Sequence, residues 1–265
     1  MKDHIISVFT KPWKNCTAEE LAEHVLKLGF TAIEFPLRTG YQVEPQNAVK
    51  GFPKLVETMK DYGIAVTSVA SDITEPIFEA CGTAGVKLIR IMADIDLKVN
   101  YFRSELEWCR KLYNVLPYCE KYGVKVGIQQ HSGAFIFTSM ELRRLLEKLD
   151  QRYYGAIWDA AHSAIAYENP EVALNILWEY LVLVNFKNAY VKQISENPAK
   201  FYPYFTTAEK GVSDWQRAIN CLLKKGYNDV ICMPAEYSDT ANVDTYIKED
   251  LAYLKNIITS WSEET

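Results

Sequence analysis

Short runs of β-branched and aromatic residues alternate with longer amphipathic stretches along the whole chain. The short runs predict eight strands, over residues 4–10, 32–36, 65–70, 88–92, 125–129, 155–159, 183–186 and 229–234. The stretches between them have the three-to-four-residue spacing of apolar positions that is typical of helices, and they cover residues 18–28, 53–62, 75–80, 105–122, 140–149, 171–181, 214–225 and 245–261. The chain therefore reads as eight strand–helix pairs.

The spacing of these pairs predicts an α/β fold. Dividing 265 residues by eight gives about 33 residues per pair, enough for a strand, a helix and two loops. Parallel strands joined by right-handed helical crossovers and closing at eight form a (β/α)8 TIM barrel, here a single domain over residues 1–265. The alternative is an open doubly wound sheet, which normally has a glycine-rich phosphate-binding turn after an early strand. Residues 10–13, which follow the first strand, contain no glycine.

Composition narrows the classes of function. Hydrophobic residues make up 49% of the chain and charged residues 24%, as in a packed globular protein, and the net charge of -5 argues against binding to nucleic acid. The first residues are too interrupted for a secretion signal, and no apolar run approaches the roughly 20 residues needed to cross a bilayer. The six cysteines are scattered. We therefore expect a soluble cytoplasmic protein with reduced thiols and no membrane partner.

Polar side chains follow the last four predicted strands, at the end of the barrel where active sites lie. They are Gln129 and His131 after the fifth strand, Asp159 and His162 after the sixth, Asn185 and Lys187 after the seventh, and Glu236 after the eighth. Two-residue alternation places Gln129 and His131 on one face. A carboxylate at the end of an apolar strand costs several kcal/mol to desolvate unless a cation or hydrogen bonds compensate, so Asp159 and Glu236 are predicted to be functional.

These stretches resemble the xylose isomerase-like TIM-barrel superfamily of sugar and sugar-phosphate isomerases and epimerases. The resemblance is carried by residues 28–34, 127–133, 155–162, 184–188, 211–215 and 226–236, so it spans essentially the whole chain. It implies a small sugar or polyol substrate and an active site in the barrel mouth. It also implies substrate contacts for His162 and Lys187.

The resemblance further implies a divalent cation held by Glu, Asp, His and Glu after strands five to eight. Carried over by position, Asp159 and Glu236 match, whereas Gln129 stands where Glu is expected and Asn185 where His is expected. The resulting all-oxygen set suits Mg²⁺ or Mn²⁺ with weakened affinity. In the alternative, no metal binds and the ammonium of Lys187 lies between Asp159 and Glu236 in place of the cation. Both interpretations stay open at this point, and in both Asn188 replaces the acid that often follows this lysine.

The resemblance implies a reaction that moves a proton next to a carbonyl, often between two glutamates. The replacements at positions 129 and 185 change this chemistry. An amide is not a base in the working pH range, so Gln129 disfavours two-base epimerisation. One-base chemistry remains with Glu236 or His131, and Lys187 is the third catalytic candidate. Branches of the superfamily that resemble inosose dehydratases also carry residues other than Glu on strand five, so dehydration is retained beside isomerisation.

Other residues extend the candidate site. Glu34 forms an ion pair with Arg90 or contacts substrate. Trp13 and Tyr41 lie in early loops and can stack on a sugar ring or simply pack. The aromatic run at residues 201–205 lies in a predicted loop of more than 20 residues, which acts as a lid or binding element or packs against a second subunit of a homo-oligomer.

Two further classes of function compete with the enzyme. The first is a catalytically altered sugar-binding barrel, which the replacements at positions 129 and 185 would permit. The second is the DNA-cleaving endonuclease IV-like branch of the superfamily. That branch needs a zinc site rich in histidine, and this chain has only four histidines, so we expect no DNA cleavage.

Overall fold

The computed structural model describes residues 4–264, and its centre is a closed barrel of eight parallel strands. Their order around the barrel is β1-β2-β3-β4-β5-β6-β7-β10, and β10 closes it against β1. The barrel strands are β1 (Ile6–Phe9), β2 (Ala32–Pro36), β3 (Ala65–Ala70), β4 (Leu88–Met92), β5 (Lys125–Gln129), β6 (Tyr154–Asp159), β7 (Leu181–Asn185) and β10 (Ile231–Met233). The predicted (β/α)8 fold is confirmed.

Helices follow the strands and cover the barrel with their apolar faces. They are α1 (Ala18–Leu28), α2 (Ala48–Asp61), α3 (Glu75–Ala84), α4 (Tyr101–Tyr122), α5 (Ser139–Leu146), α6 (Ala160–Ile165), α7 (Pro170–Leu177), α8 (Trp215–Lys224) and α9 (Val243–Glu264). Thr17 begins α1 with a reciprocal capping box to Glu20, and Gly29 ends it at φ +91°. Within residues 4–264, no helix has both the length and the apolar character that a membrane crossing requires.

The strand register brings the polar strand ends to one height. Asp159 pairs with Asn185 across β6 and β7, and Asn185 pairs with Cys232 of β10. Close packing in this region depends on Gly155, where an added Cβ would lie 2.4 Å from Cγ1 of Val182 and 2.8 Å from the Tyr180 carbonyl oxygen. The strand register therefore determines which side chains meet above the barrel.

The predicted long loop after the seventh strand is wrong, because it forms an antiparallel hairpin of β8 (Asn188–Glu196) and β9 (Ala199–Thr206). Asn188 fastens the base of this hairpin. Its Nδ2 donates to the carbonyl oxygens of Ala208 at 2.7 Å and Ser213 at 3.0 Å. The ribbon buries little of its surface, so its strands lack the continuous apolar run that identifies the barrel strands.

Two smaller differences concern helix ends. The helix predicted over residues 171–181 ends at Leu177, and a 3-10 turn leads into β7 at Leu181. Helix α2 begins at Ala48, five residues before its predicted start, and Pro53 lies inside it. Pro53 is the sixth residue of α2, so it lacks the N–H that would donate to the Val49 carbonyl, and the helix continues with one intrahelical hydrogen bond fewer.

Candidate active site

A polar cavity of about 80 Å³ opens at the carboxyl ends of the barrel strands. Five of the predicted site residues line it, namely Gln129, His131, Asn185, Lys187 and Glu236. The other three, Glu34, Asp159 and His162, are fully buried behind this wall. The structure thus brings all the predicted side chains to one end of the barrel, in two layers.

Asp159 ends β6 and also begins α6. Its Oδ1 accepts a hydrogen bond from the backbone N–H of His162 at 3.1 Å, so the Asp-x-x-His spacing is a helix cap that fixes the carboxylate. Burial raises the pKa of Asp159, and the Lys187 ammonium, 3.6 Å from Oδ2, opposes that shift.

Glu236 lies between two lysines. It follows β10 through Ala235, a non-glycine residue at φ +51°, which turns the chain so that the carboxylate enters the cavity. Nζ of Lys187 is 2.7 Å from Oε2, and Nζ of Lys11 is 2.5 Å from Oε1. Burial alone would raise the pKa of Glu236, but the two ammonium groups lower it well below its ordinary value. Glu236 is therefore a stable anion and a weak base.

The orientation of the Gln129 amide follows from Arg90, whose guanidinium can only donate. Oε1 of Gln129 accepts from Nη1 of Arg90, so the amide nitrogen faces the other way and donates to Oδ2 of Asp159 at 2.7 Å. Arg90 also forms an ion pair with Glu34, with Nη2 at 2.7 Å from Oε2 and Nε at 2.9 Å from both oxygens. Glu34 thus supports the site through Arg90 from beneath the cavity.

Together these contacts form one chain of alternating charge across the barrel mouth, which we call the ionic chain. Its members in order are Glu34, Arg90, Gln129, Asp159, Lys187, Glu236 and Lys11. Three cations alternate with three anions, and the neutral amide links the two halves, so the formal charges cancel. Burial alone would lower the pKa of Arg90, but the Glu34 carboxylate raises it above its ordinary value. Likewise, burial alone would lower the pKa of Lys187, but Asp159 and Glu236 raise it, so both cations stay charged.

His131 faces this chain from the cavity wall. Its Nδ1 lies 2.8 Å from the carbonyl oxygen of Ser132, which can only accept, so Nδ1 carries the proton and Nε2 of the neutral ring is a free base. Burial and the neighbouring Lys187 charge lower the pKa of His131. The imidazole is therefore neutral and able to accept a proton at pH 7.

Two buried groups near His131 have unused hydrogen-bonding capacity. The His162 ring packs 4.0 Å from the His131 ring, and its Nδ1 accepts from the Ser132 N–H at 3.3 Å. Its Nε2 has no hydrogen-bond partner among the described residues. The same holds for both amide atoms of Asn185, although that side chain lines the cavity and is fully buried. Because buried polar groups are nearly always paired, Asn185 is a candidate ligand contact.

The hairpin packs against the site through Phe205. The ring of Phe205 lies 4.7 Å from the Lys187 ammonium and packs edge-on to His162 at 5.9 Å. Phe201 and Tyr202, from the same predicted aromatic run, are more than half exposed. Trp13 and Tyr41 have other partners: the Trp13 indole donates to Asp244 at 2.9 Å, and the Tyr41 hydroxyl donates to the Lys11 carbonyl at 3.4 Å.

Phe9, Lys11 and Arg38 are among the cavity-lining residues that sequence reasoning missed. Phe9 ends β1, and Lys11 lies two residues further along, so the alternation that linked Gln129 with His131 also links this pair. Arg38 occupies the same relation to Pro36 at the end of β2. Applying the alternation to every strand would have identified all three.

With this geometry established, the comparisons with known proteins can be assessed. The chain belongs to the xylose isomerase-like TIM-barrel family, whose model matches residues 22–257. An inosose dehydratase of Lactiplantibacillus plantarum is 28% identical over 147 residues, which are 51% of this chain and 49% of that protein. The chain thus spans about half the length of this curated relative.

Solved structures share the fold at low sequence identity. The 3-keto-D-glucoside 4-epimerase of E. coli is 16% identical, with a TM-score of 0.75 over 96% of this chain and 100% of that one. An L-ribulose 3-epimerase is 12% identical, with a TM-score of 0.77 over 99% and 97%. A xylose isomerase-like TIM-barrel protein of Mycobacterium smegmatis, solved in complex with magnesium, is 13% identical, with a TM-score of 0.73 over 97% of both chains.

The donor set of this chain does not fit the family's four-ligand divalent site. The Gln129 oxygen is directed to Arg90 and its nitrogen faces Asp159, both oxygens of Asp159 accept hydrogen bonds, and the Lys187 ammonium lies between Asp159 and Glu236. A nitrogen donor and an ammonium repel a cation at the positions where the family places oxygen ligands. Within residues 4–264 no group of three or more His, Cys, Asp or Glu side chains is arranged to hold a metal ion.

Proposed function

We propose that the protein is an enzyme of the sugar isomerase and dehydratase type, which removes a proton next to the ketone of a small keto-polyol. The observation that carries this proposal is the neutral His131, with a free Nε2, in the same cavity as the Lys187 ammonium. A base and a cation in one cavity are the two groups that enolate chemistry needs. The likeness to an inosose dehydratase supports the same class of reaction.

His131 is the base, and Lys187 stabilises the charge that develops. The α-proton passes to Nε2 of His131, and the electron pair of the broken C–H bond forms the enolate. The enolate oxygen accepts a hydrogen bond from the Lys187 ammonium, and Glu236 and Asp159 hold that ammonium in place. Glu236 itself is a poor base because its two lysines stabilise the carboxylate.

Dehydration is the outcome that this arrangement favours. The enolate electron pair expels a hydroxyl from the next carbon, which leaves as water with the proton that His131 collected, and the resulting enol becomes a diketone. Isomerisation returns the proton to a neighbouring atom from the same base. Epimerisation needs a second base on the opposite face, and Gln129 at that position is an amide.

In this proposal the ammonium of Lys187 replaces the divalent cation, so activity is independent of metal. The six cysteines all carry free thiols, which supports a reducing compartment such as the cytoplasm. We also propose that the substrate is a small neutral or acidic polyol. We further propose that two copies of the chain pair through the hairpin.

The test is α-proton exchange in D2O with inososes and keto-sugars, followed by NMR together with the ultraviolet absorbance of a diketone product. We expect His131→Asn to lower the rate by about 10² to 10⁴-fold, because asparagine keeps the hydrogen bond to Ser132 but has no basic nitrogen. The acid limb of the wild-type pH profile should lie below pH 6.5, because the His131 pKa is lowered from 6.5.

His24→Asn is the matched control. His24 lies outside the cavity, where it contacts Trp13 and Asp244, so its loss should leave the rate unchanged. Full exchange in the His131 variant would refute the assignment of the base. No exchange and no turnover by the wild-type protein across the panel would refute the proposed reaction class.

A further inference from the structure

A second and much larger cavity adjoins the candidate active site on the side of β2, β3 and β4. Its volume is about 780 Å³, against about 80 Å³ for the cavity at His131. Arg38, Arg90 and Met92 line both, so the two spaces meet at these side chains. A space of 80 Å³ holds only a few water molecules, so a substrate whose ketone reaches His131 must extend into the larger space. We call that space the Arg38 groove.

Arg38 forms no direct ion pair with any carboxylate of residues 4–261, the part of the chain whose side chains are described. Its Nε donates to the carbonyl oxygen of Ala70 at 3.3 Å. Arg90, by contrast, is bidentate on Glu34. The two guanidinium groups share the Phe9 ring, at 5.9 Å and 4.5 Å from its centre. Partial burial and the charge of Arg90 lower the pKa of Arg38, and the carboxylates of Glu34 and Glu236 offset only part of that shift.

The rest of the groove also favours a negative ligand. Lys111 lies over the Trp108 ring at 4.3 Å, and both residues line the groove. Asp72 is the acid of the groove, and it is exposed.

We propose that the Arg38 groove binds an acidic substituent of the substrate, a carboxylate or a phosphate, while the ketone of the same molecule lies at His131. This inference rests on the proposed function and gives its substrate a class: a sugar acid or a sugar phosphate. Arg38 is the anion-binding residue, because a guanidinium pairs bidentately with either group. Arg90 is already committed to Glu34 and cannot take this role.

Calorimetric titration with three probes tests the proposal: neutral D-fructose, D-fructose 6-phosphate and 5-keto-D-gluconate. We expect at least one acidic probe to bind about 10 to 100-fold more tightly than fructose, the effect of a charge-assisted hydrogen-bond pair. The two acidic probes distinguish a phosphate from a carboxylate. Arg38→Met should abolish the preference, and Arg38→Lys should retain part of it.

Arg110→Met is the matched control, since Arg110 is an exposed arginine of α4 outside both cavities and its loss should leave the preference intact. Equal affinity for all three probes, or a preference that survives in Arg38→Met, would overturn the proposal. Thermal unfolding shows whether Arg38→Met is still folded. A preference for the acidic probe that is partly retained in Arg38→Lys shows that the charge of residue 38, and not the fold, is what the Met variant loses. Arg38-dependent binding without α-proton exchange would refute the proposed reaction but support the anion-binding role of the Arg38 groove. Exchange without a preference for acidic probes would support the reaction and refute the role of the groove.

Discussion

The two halves of the barrel mouth differ in how their charges are satisfied. On the side of β5, β6, β7 and β10, every lysine and carboxylate of the ionic chain has a partner. On the side of β2 to β4, Arg38 faces a wide groove and forms no ion pair with a described carboxylate. A closed set of contacts holds atoms in fixed positions, as proton transfer requires. An open cation lacks that rigidity but can select a ligand by charge.

The largest effect should come from the closed half. Lys187→Met leaves Asp159 and Glu236 without the cation between them, so we expect a loss of about 10² to 10³-fold in turnover. Loss of one partner from a buried ion pair should also lower the free energy of unfolding by about 3–5 kcal/mol. Turnover assays and urea denaturation measure the two quantities.

Lys192→Met is the control, because Lys192 lies in the exposed hairpin with its ammonium 4.9 Å from the Tyr204 ring. Chelator treatment of the wild-type protein should leave turnover unchanged. A wild-type activity that disappears with chelator and returns with Mn²⁺ would show that the closed half is not complete without a metal.

A pH-dependent effect should appear at Asp250, which supports the closed half from behind. Its Oδ1 accepts from the N–H of Ala208 at the hairpin base, and Oδ2 accepts from the hydroxyl of Tyr237, next to Glu236. Burial raises the pKa of Asp250 to about 6 from an ordinary 3.8. The folded protein therefore keeps this proton at pH values where the unfolded chain has released it, so this group's contribution to the free energy of unfolding falls by about 2 kcal/mol between pH 4 and pH 6.

Asp250→Asn removes that titration. The difference in free energy of unfolding between wild type and variant should therefore shift by about 2 kcal/mol in favour of the variant as the pH rises from 4 to 6. Urea denaturation at both pH values measures it, and groups common to both proteins cancel. A pH-independent difference would show that Asp250 is ionised throughout.

The smallest effect should come from Gly211, at the hairpin base. An added Cβ would lie 2.1 Å from Oδ1 of Asn188 and 2.7 Å from the Ala189 nitrogen, so Gly211→Ala should cost about 2 kcal/mol by overpacking. It should also weaken turnover, because the hairpin positions Phe205 over Lys187. Gly226→Ala, where φ is +75° and no atom lies within 4 Å, should cost about 1 kcal/mol without affecting turnover.

Much of this architecture could be predicted from the sequence, because a barrel strand buried between two layers has a continuous apolar run. Strands β2, β3, β4 and β5 begin and end at the predicted residues. The hairpin could not be predicted in this way, since its strands face solvent and Pro203 lies within β9. Helix α4 begins at Tyr101, before its predicted start, because Asn100 caps it through the Arg103 N–H, a signal visible in the sequence.

The site residues, like the strands, differ in how far the sequence alone predicts them. Alternation at strand ends identified Gln129, His131, Asn185 and Lys187, because residues two apart along a strand share a face. Contacts between side chains of different strands depend on how the strands are aligned, and the sequence does not state this register. The link from Arg90 to Gln129, and that from Lys11 to Glu236 over 225 positions, are of this kind.

The orientation of the Gln129 amide has an evolutionary consequence. Gln129→Glu, which would restore one family ligand, would place a carboxylate against Asp159 and lose the bond that the amide nitrogen donates there. Asn185→His alone would add a ligand beside an ammonium that repels metal. Each of these single substitutions should therefore disturb the ionic chain unless Lys187 changes as well, so we expect a return to the family's ligand set to need coordinated substitutions.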